Sequence, residues 1–265
     1  MAHPWLNMLL VGACFGALII GLRTLRDARG AEPELLRKLL HIGMGLVGLS
    51  LPWLFAAAWP VLLLAALFAL GLGICRTSVR WRRFEGGIID GISRDSLGDL
   101  CFPIAVGILF LVSSGDPLTF CIPMLILTLA DAAAALVGTR CGAHRYGRPG
   151  HEKSFEGSCA FFAVAFPSTC LLTEFLAGVG HAEALLLSLT LALLVTLVEA
   201  ITWKGVDNLT VPWAAFLLLR LLCGRDLDSL AACLGVTLGV MGLFGLRCRG
   251  ISASSVTSEV ADDAV

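Results

Sequence analysis

Nine long apolar runs dominate this sequence and constrain it more than any other feature: residues 5–22, 39–56, 57–75, 100–114, 117–138, 158–175, 184–202, 209–223 and 228–246. A helix rises 1.5 Å per residue, so about 20 apolar residues cross the hydrocarbon core of a bilayer. Runs 100–114 and 209–223 are short for that role. The second and third runs form one stretch broken near Pro52 and Pro60. The pattern therefore predicts about nine spans, with eight or ten as alternatives. In lipid each backbone polar group must be satisfied internally, and uninterrupted apolar runs do this as helices. The expected fold is an all-α, polytopic transmembrane bundle. Residues 1–250 are read as a single transmembrane catalytic domain and 251–265 as a polar, disordered cytoplasmic tail, in which Glu259, Asp262 and Asp263 are acidic.

Composition excludes the main alternatives. Of 265 residues, 57% are hydrophobic and 15% charged, against about 25% charged in ordinary soluble proteins. A soluble domain of this size cannot hide that much apolar surface. The net charge of −1 leaves no dominant basic patch for nucleic acid. The ten cysteines include no C-x-x-C pair, and most lie in or beside apolar runs, where Cys acts as a small hydrophobe. The first apolar run has no basic segment before it and no small-residue cleavage pattern after it, so it reads as a retained span.

The few charges are placed asymmetrically. With nine spans, 17 of the 19 Lys and Arg residues fall on one side, and only Arg220 and Arg225 fall on the other. The positive-inside rule then puts the N-terminus outside and the C-terminus in the cytoplasm, in the inner membrane if the source is bacterial.

Asp131 and Glu199 are the clear acids inside spans, both toward the predicted cytoplasmic end. Intramembrane charge is costly and faces a bundle interior or a wet cavity, so these residues serve either a packing pair or a cation or proton site. Segment 139–157 mixes glycines with basic residues before Lys153 and Ser154 open the sixth span. A helix N-terminus offers free N–H groups to phosphate, Lys153 adds a point charge, and Gly157 lets a backbone come close. An ordinary positive-inside loop has the same composition. Asp207 and Asn208 follow Glu199 after a short turn. They suit a helix cap, or a metal or phosphate site on the same face as Asp131 and Lys153. Arg37, Lys38 and His41 precede the second span, and Asp99 opens the fourth ahead of Phe102 and Pro103.

Together, Arg37-Lys38-x-x-His41, Gly98-Asp99-x-x-Phe102-Pro103, Asp131-Ala132-x-Ala134-x-x-x-Gly138, Lys153-Ser154-x-Glu156-Gly157-Ser158 and Asp207-Asn208-Leu209-x-x-Pro212 resemble the CTP-dependent lipid-alcohol kinases. That family comprises dolichol kinase, phytol kinase and the fungal-type diacylglycerol kinase, and is related to phosphatidate cytidylyltransferases. The pairing of D-A-x-A-x-x-x-G with K-S-x-E-G-S is the specific element. The family often carries Glu where this chain has Asp99. The cytidylyltransferases share K-S-x-E-G, but their long C-terminal segment is missing here, and D-N-L-T-V-P looks like the kinase branch.

The resemblance implies transfer of the γ-phosphoryl group of CTP to the hydroxyl of a lipid alcohol, giving the lipid monophosphate and CDP. It implies phosphate contacts from Lys153, Ser154, Gly157 and Ser158. Mg²⁺ would sit on Asp131 with Asp207 or Glu156, and Asn208 would orient phosphate or metal-bound water. Asp99, Glu199 and His41 stand as alternative bases for the hydroxyl. Arg37 and Lys38 would meet the nucleotide or the lipid head. The expected partners are the alcohol, CTP and membrane lipids, with no nucleic acid, and no feature sets an oligomeric state. The alternatives are a phosphatidate cytidylyltransferase and an ion-coupled transporter using Asp131 and Glu199. The lack of a clear inverted repeat disfavours the transporter.

Overall fold

A computed structural model describes residues 3–77, 97–148, 151–203 and 205–243. The expected tail at 251–265 and the cations Arg80, Arg82, Arg83, Arg94 and Lys204 lie outside the described residues. In chain order the helices are α1 (Pro4–Arg29), α2 (Pro33–Leu49), a single turn α3 (Leu51–Leu54), α4 (Ala58–Thr77), α5 (Gly98–Ser113) and α6 (Pro117–Leu125). A π-helical turn (Ile126–Ala130) joins α6 to α7 (Asp131–Cys141). Then come α8 (Phe155–Leu176), α9 (His181–Ile201), α10 (Asp207–Leu222) and α11 (Leu227–Leu243). The all-α expectation holds, with one addition. The segment before α8 is an antiparallel hairpin of β1 (Arg145–Arg148) and β2 (His151–Ser154), with Tyr146 opposite Lys153.

Local chemistry sets the helix ends. Proline occupies the first turn of α1, α2 and α6, where its missing N–H costs nothing. Asp116 caps α6 by accepting from the Thr119 N–H at 3.0 Å. Gly30 ends α1 in the left-handed region at φ 59°, a conformation that strains residues with a Cβ.

Among the described residues five helices are long and apolar enough to cross a membrane: Pro4–Arg29, Pro33–Leu54, Pro117–Cys141, Phe155–Leu176 and His181–Ile201. Ala58–Ile74, Gly98–Ser113 and Leu227–Leu243 are apolar but shorter. Within the described residues, each apolar run read from the sequence falls on a helix or on consecutive helices.

Helix Pro117–Cys141 stands between two core clusters. Ile122, Ile126 and Ala130 pack with Phe161, Leu191, Val195 and Leu219 of α8, α9 and α10. Phe120, Met124 and Leu127 pack with Val11, Val61, Phe102 and Phe110 of α1, α4 and α5. Large apolar side chains such as Leu9, Leu67, Leu70, Phe175 and Leu243 point outward. This inversion suits a lipid solvent and would be costly in water.

Candidate active site

The site begins with the π turn. Its wider winding sends the Asp131 N–H back to the Ile126 carbonyl, five residues earlier. The neighbouring Leu127 carbonyl lies 2.9 Å from His41 Nε2, and a carbonyl only accepts, so Nε2 carries the proton. Gly45 makes this contact possible. A Cβ there would fall 2.0 Å from Thr128 Oγ1, so only glycine lets α2 lie against the π turn. With α2 so close, Lys38 Nζ reaches Asp131 Oδ2 at 2.8 Å, and His41 Nε2 stands 3.8 Å from the same oxygen. Both partners of the ion pair are buried, with side chains 6% and 9% exposed.

A second close approach joins α7 to α8. A Cβ on Gly157 would meet the Ala134 carbonyl at 2.9 Å, and one on Gly138 would meet Ser154 Oγ at 3.1 Å. The glycines of the two most specific motifs thus let two helices touch backbone to backbone. Ser154 caps α8 by accepting from the Gly157 N–H at 3.1 Å. The sequence reading gave this N–H to phosphate; in the structure it is held by the cap. Gly157 accommodates the neighbouring helix and also lines a polar cavity. Lys153 is likewise not in the helix but on the strand before it.

From that strand Lys153 Nζ reaches Glu199 Oε1 and the Glu199 carbonyl, each at 2.5 Å, and Asp207 Oδ2 at 3.5 Å. Ser158 Oγ adds a longer contact to Glu199 Oε2 at 3.4 Å and lies 2.5 Å from the Tyr146 hydroxyl. Asn208 Nδ2 donates to the Gly98 carbonyl at 2.7 Å and pins α10 to the start of α5.

These groups surround one polar cavity of about 310 Å³. It collects the N-terminal ends of α2, α5, α8 and α10, one face of α7 and the C-terminal end of α9 at one end of the bundle. Its walls include Arg37, Lys38, Asp131, Lys153, Ser154, Gly157, Ser158, Glu199, Asp207 and Asn208, all named from the sequence. The sequence reading missed Glu34, Thr139, Arg145 and Glu152, which also line it. Glu34 was legible as an i,i+3 partner of Arg37, and its Oε2 accepts from Arg37 Nε at 2.9 Å. Arg145 and Glu152 needed the hairpin register to be known.

Three predicted residues stand apart. Glu156 is turned to the hairpin, where its carboxylate accepts from the His144 N–H and lies 2.7 Å from His144 Nδ1. His41 is buried behind Asp131, with its ring edge-on to Phe102 at 5.0 Å. Asp99 lines a separate apolar slot.

Five carboxylates (Glu34, Asp131, Glu152, Glu199, Asp207) and four cations (Arg37, Lys38, Arg145, Lys153) line the cavity. Among the described residues no group of three or more His, Cys, Asp or Glu side chains forms a cage for a metal ion. Asp131 and Asp207 fit a different kind of site, since Mg²⁺ binds through one or two carboxylates plus substrate phosphates.

The chain is similar to a phytol kinase from Synechocystis sp., with 31% identity over 221 residues that span 82% of this chain and 92% of the relative. No protein-family profile matches it, and no solved structure does.

Proposed function

The chain belongs to the lipid-alcohol kinase family that includes phytol kinase, and from that premise we propose that it transfers the γ-phosphoryl group of CTP to a long-chain alcohol, with phytol the first candidate. The alcohol oxygen forms a bond to the γ-phosphorus, the bond to the β-γ bridging oxygen breaks, and CDP leaves with that electron pair. The hydroxyl proton passes to a carboxylate at the site. The reading rests above all on Lys153, Asp131 and Asp207 facing one polar cavity at the end of the bundle.

Phosphoryl transfer needs positioning and charge neutralisation more than covalent help. Lys153 is the natural phosphate contact, because it can exchange a carboxylate for a phosphate oxygen without leaving its strand. Arg37 and Arg145 flank the same space. Among the described lining residues carboxylates outnumber cations by one, which is compatible with entry of the triphosphate together with a divalent cation. Asp131 and Asp207 would hold Mg²⁺, which would neutralise charge developing on the phosphates. Glu156 receives no ligand role, because it is turned to His144 of the hairpin and does not line the cavity. The Lys and Arg distribution supports a cytoplasmic position for the cavity, on the side where nucleotide is present.

The test uses membranes containing the full chain, incubated with phytol, a polyprenol or diacylglycerol. CTP labelled at the γ position is expected to label the lipid and to release CDP. Label entering lipid only from α-labelled CTP, with pyrophosphate released, would replace this reading with a cytidylyltransferase. Equal transfer from ATP would remove the CTP preference.

A further inference from the structure

The β-hairpin carries the single tyrosine of the chain, Tyr146. The register sets it directly opposite Lys153, so the phenol and the ammonium form a cross-strand pair. Both lead to Glu199, whose side chain is almost wholly buried. Lys153 Nζ holds Glu199 Oε1 at 2.5 Å. Tyr146 arrives through one intermediate. Its hydroxyl lies 2.5 Å from Ser158 Oγ, in the first turn of α8, and Ser158 Oγ lies 3.4 Å from Glu199 Oε2. The direction of this chain follows from its end. A carboxylate only accepts, so Ser158 gives its one proton to Glu199, and the Tyr146 hydroxyl donates to Ser158. The two grips on Glu199 are unequal. Lys153 sits at full contact, whereas the Ser158 bond is well beyond the usual length of about 2.8 Å for two oxygens. Ser158 lines the polar cavity, and Tyr146 reaches that site through it.

We propose that Tyr146 is a positioning residue for phosphoryl transfer, which through Ser158 takes over the Glu199 carboxylate when Lys153 turns to the incoming phosphate. The inference rests on the kinase reading, in which Lys153 is the phosphate contact, and adds the means of its release. Drawing a lysine off a buried carboxylate is costly when nothing replaces it. Here Oε2 already faces a donor with room to close. A hydroxyl bonded to a carboxylate is charge-assisted and shortens toward about 2.5–2.7 Å. The bond that Ser158 accepts from Tyr146 polarises its own O–H and makes Ser158 the stronger donor. Glu199 thus passes from one donor to another, with no proton transferred and no charge stranded.

The experiment uses the full chain in detergent micelles with CTP, Mg²⁺ and phytol. Tyr146→Phe keeps the ring and removes the hydroxyl. It should lower kcat/KM for CTP by about fivefold to tenfold, the effect of one hydrogen bond, chiefly through KM. The KM for phytol should change less than about twofold. Adding Tyr146→Phe to Ser158→Ala should cost less than about a further twofold, because the phenol then has no route to Glu199. A tyrosine that only supports the hairpin would exact its full penalty again. The single tyrosine also gives a direct signal. A chain grown with 3-fluorotyrosine should show one fluorine resonance that shifts when CTP and Mg²⁺ are added. In Lys153→Met that resonance should lie near the nucleotide-bound position before any addition. A Tyr146→Phe chain with parental constants, additive penalties, or a resonance unmoved by both nucleotide and Lys153→Met would overturn the proposal. A parent chain that transfers no phosphoryl group would sink the kinase reading alone. The fluorine offset between parent and Lys153→Met, read without nucleotide, would then still decide whether Tyr146 senses the release of Glu199.

Discussion

Two lysines face the same cavity and are held in different ways. Lys38 is sealed against a single carboxylate, Asp131, with both partners almost wholly buried. Lys153 is 19% exposed and shared between Glu199, at hydrogen-bond distance, and Asp207, one ångström farther. A sealed ion pair has no water to replace a missing partner, so it contributes to folding and to a fixed geometry. A shared, half-open lysine can trade one oxygen for another. The contrast assigns Lys38 mainly to holding the site and Lys153 mainly to contacting what enters it.

The largest expected effect tests the sealed half. Lys38→Met leaves the Asp131 carboxylate buried without its cation, with the His41 ring 3.8 Å away, and breaking a buried pair in this way costs about 3–5 kcal/mol. Thermal unfolding in detergent micelles should show a large drop in Tm. Lys38→Met combined with Asp131→Leu should recover most of the Tm but no transfer activity. A single variant that melts like the parent would dissolve the contrast. The second effect tests the open half. Lys153→Met should lower phosphoryl transfer by about 10²–10³-fold, the range for losing one preorganised donor to a charged transition state, while Tm falls less than for Lys38→Met, because Ser158 still contacts Glu199 at 3.4 Å and the site is partly open. Equal losses of Tm in the two lysine variants would show that both are structural.

A third effect acts on the scaffold that both halves share. Gly157→Ala pushes a methyl to within 2.9 Å of the Ala134 carbonyl, and overpacking of this kind costs about 1–3 kcal/mol. It should lower Tm by an intermediate amount, and transfer in proportion to the loss of folded protein. The smallest effect concerns Glu156, tied to His144 on the exposed side of the hairpin. Glu156→Gln should change transfer by less than about threefold, as expected for an exposed pair. A loss approaching that of Lys153→Met would restore Glu156 to the metal site.

Much of this arrangement was legible before any coordinates. Apolar run length located the helices, and costly charge within spans singled out Asp131 and Glu199. Lys153, Asp207 and Asn208 were grouped correctly because alternating spans return to the same face. What stayed hidden depends on pairing across distant helices. Nothing local in Arg37-Lys38-x-x-His41 says that Lys38 meets an acid 93 residues away, since helical periodicity gives a face but not its partner. Gly45 looks like any apolar-helix glycine until Thr128 is placed beside it. The hairpin was read as loop because its strands are only four residues each and rich in Gly and charge. Asp99 reads from the sequence as a candidate base beside Glu199 and His41; that it lines an apolar slot depends on how α1, α2 and α4 pack around α5.

The π turn at Ile126–Ala130 also acts as a phase setter for the helix that carries it. It holds one residue more than an α turn, so the segment before it and the segment after it are clocked about 100° apart relative to an unbroken α-helix. Deleting one residue from 126–130 would let the turn relax to α winding and keep the faces on either side of it, whereas forcing the five residues into regular α winding, with hydropathy and span length unchanged, would swing Asp131 and Gly138 together off the faces they now present to α2 and α8. Such a chain would insert into the membrane as before, with its key acid aimed at the wrong neighbour.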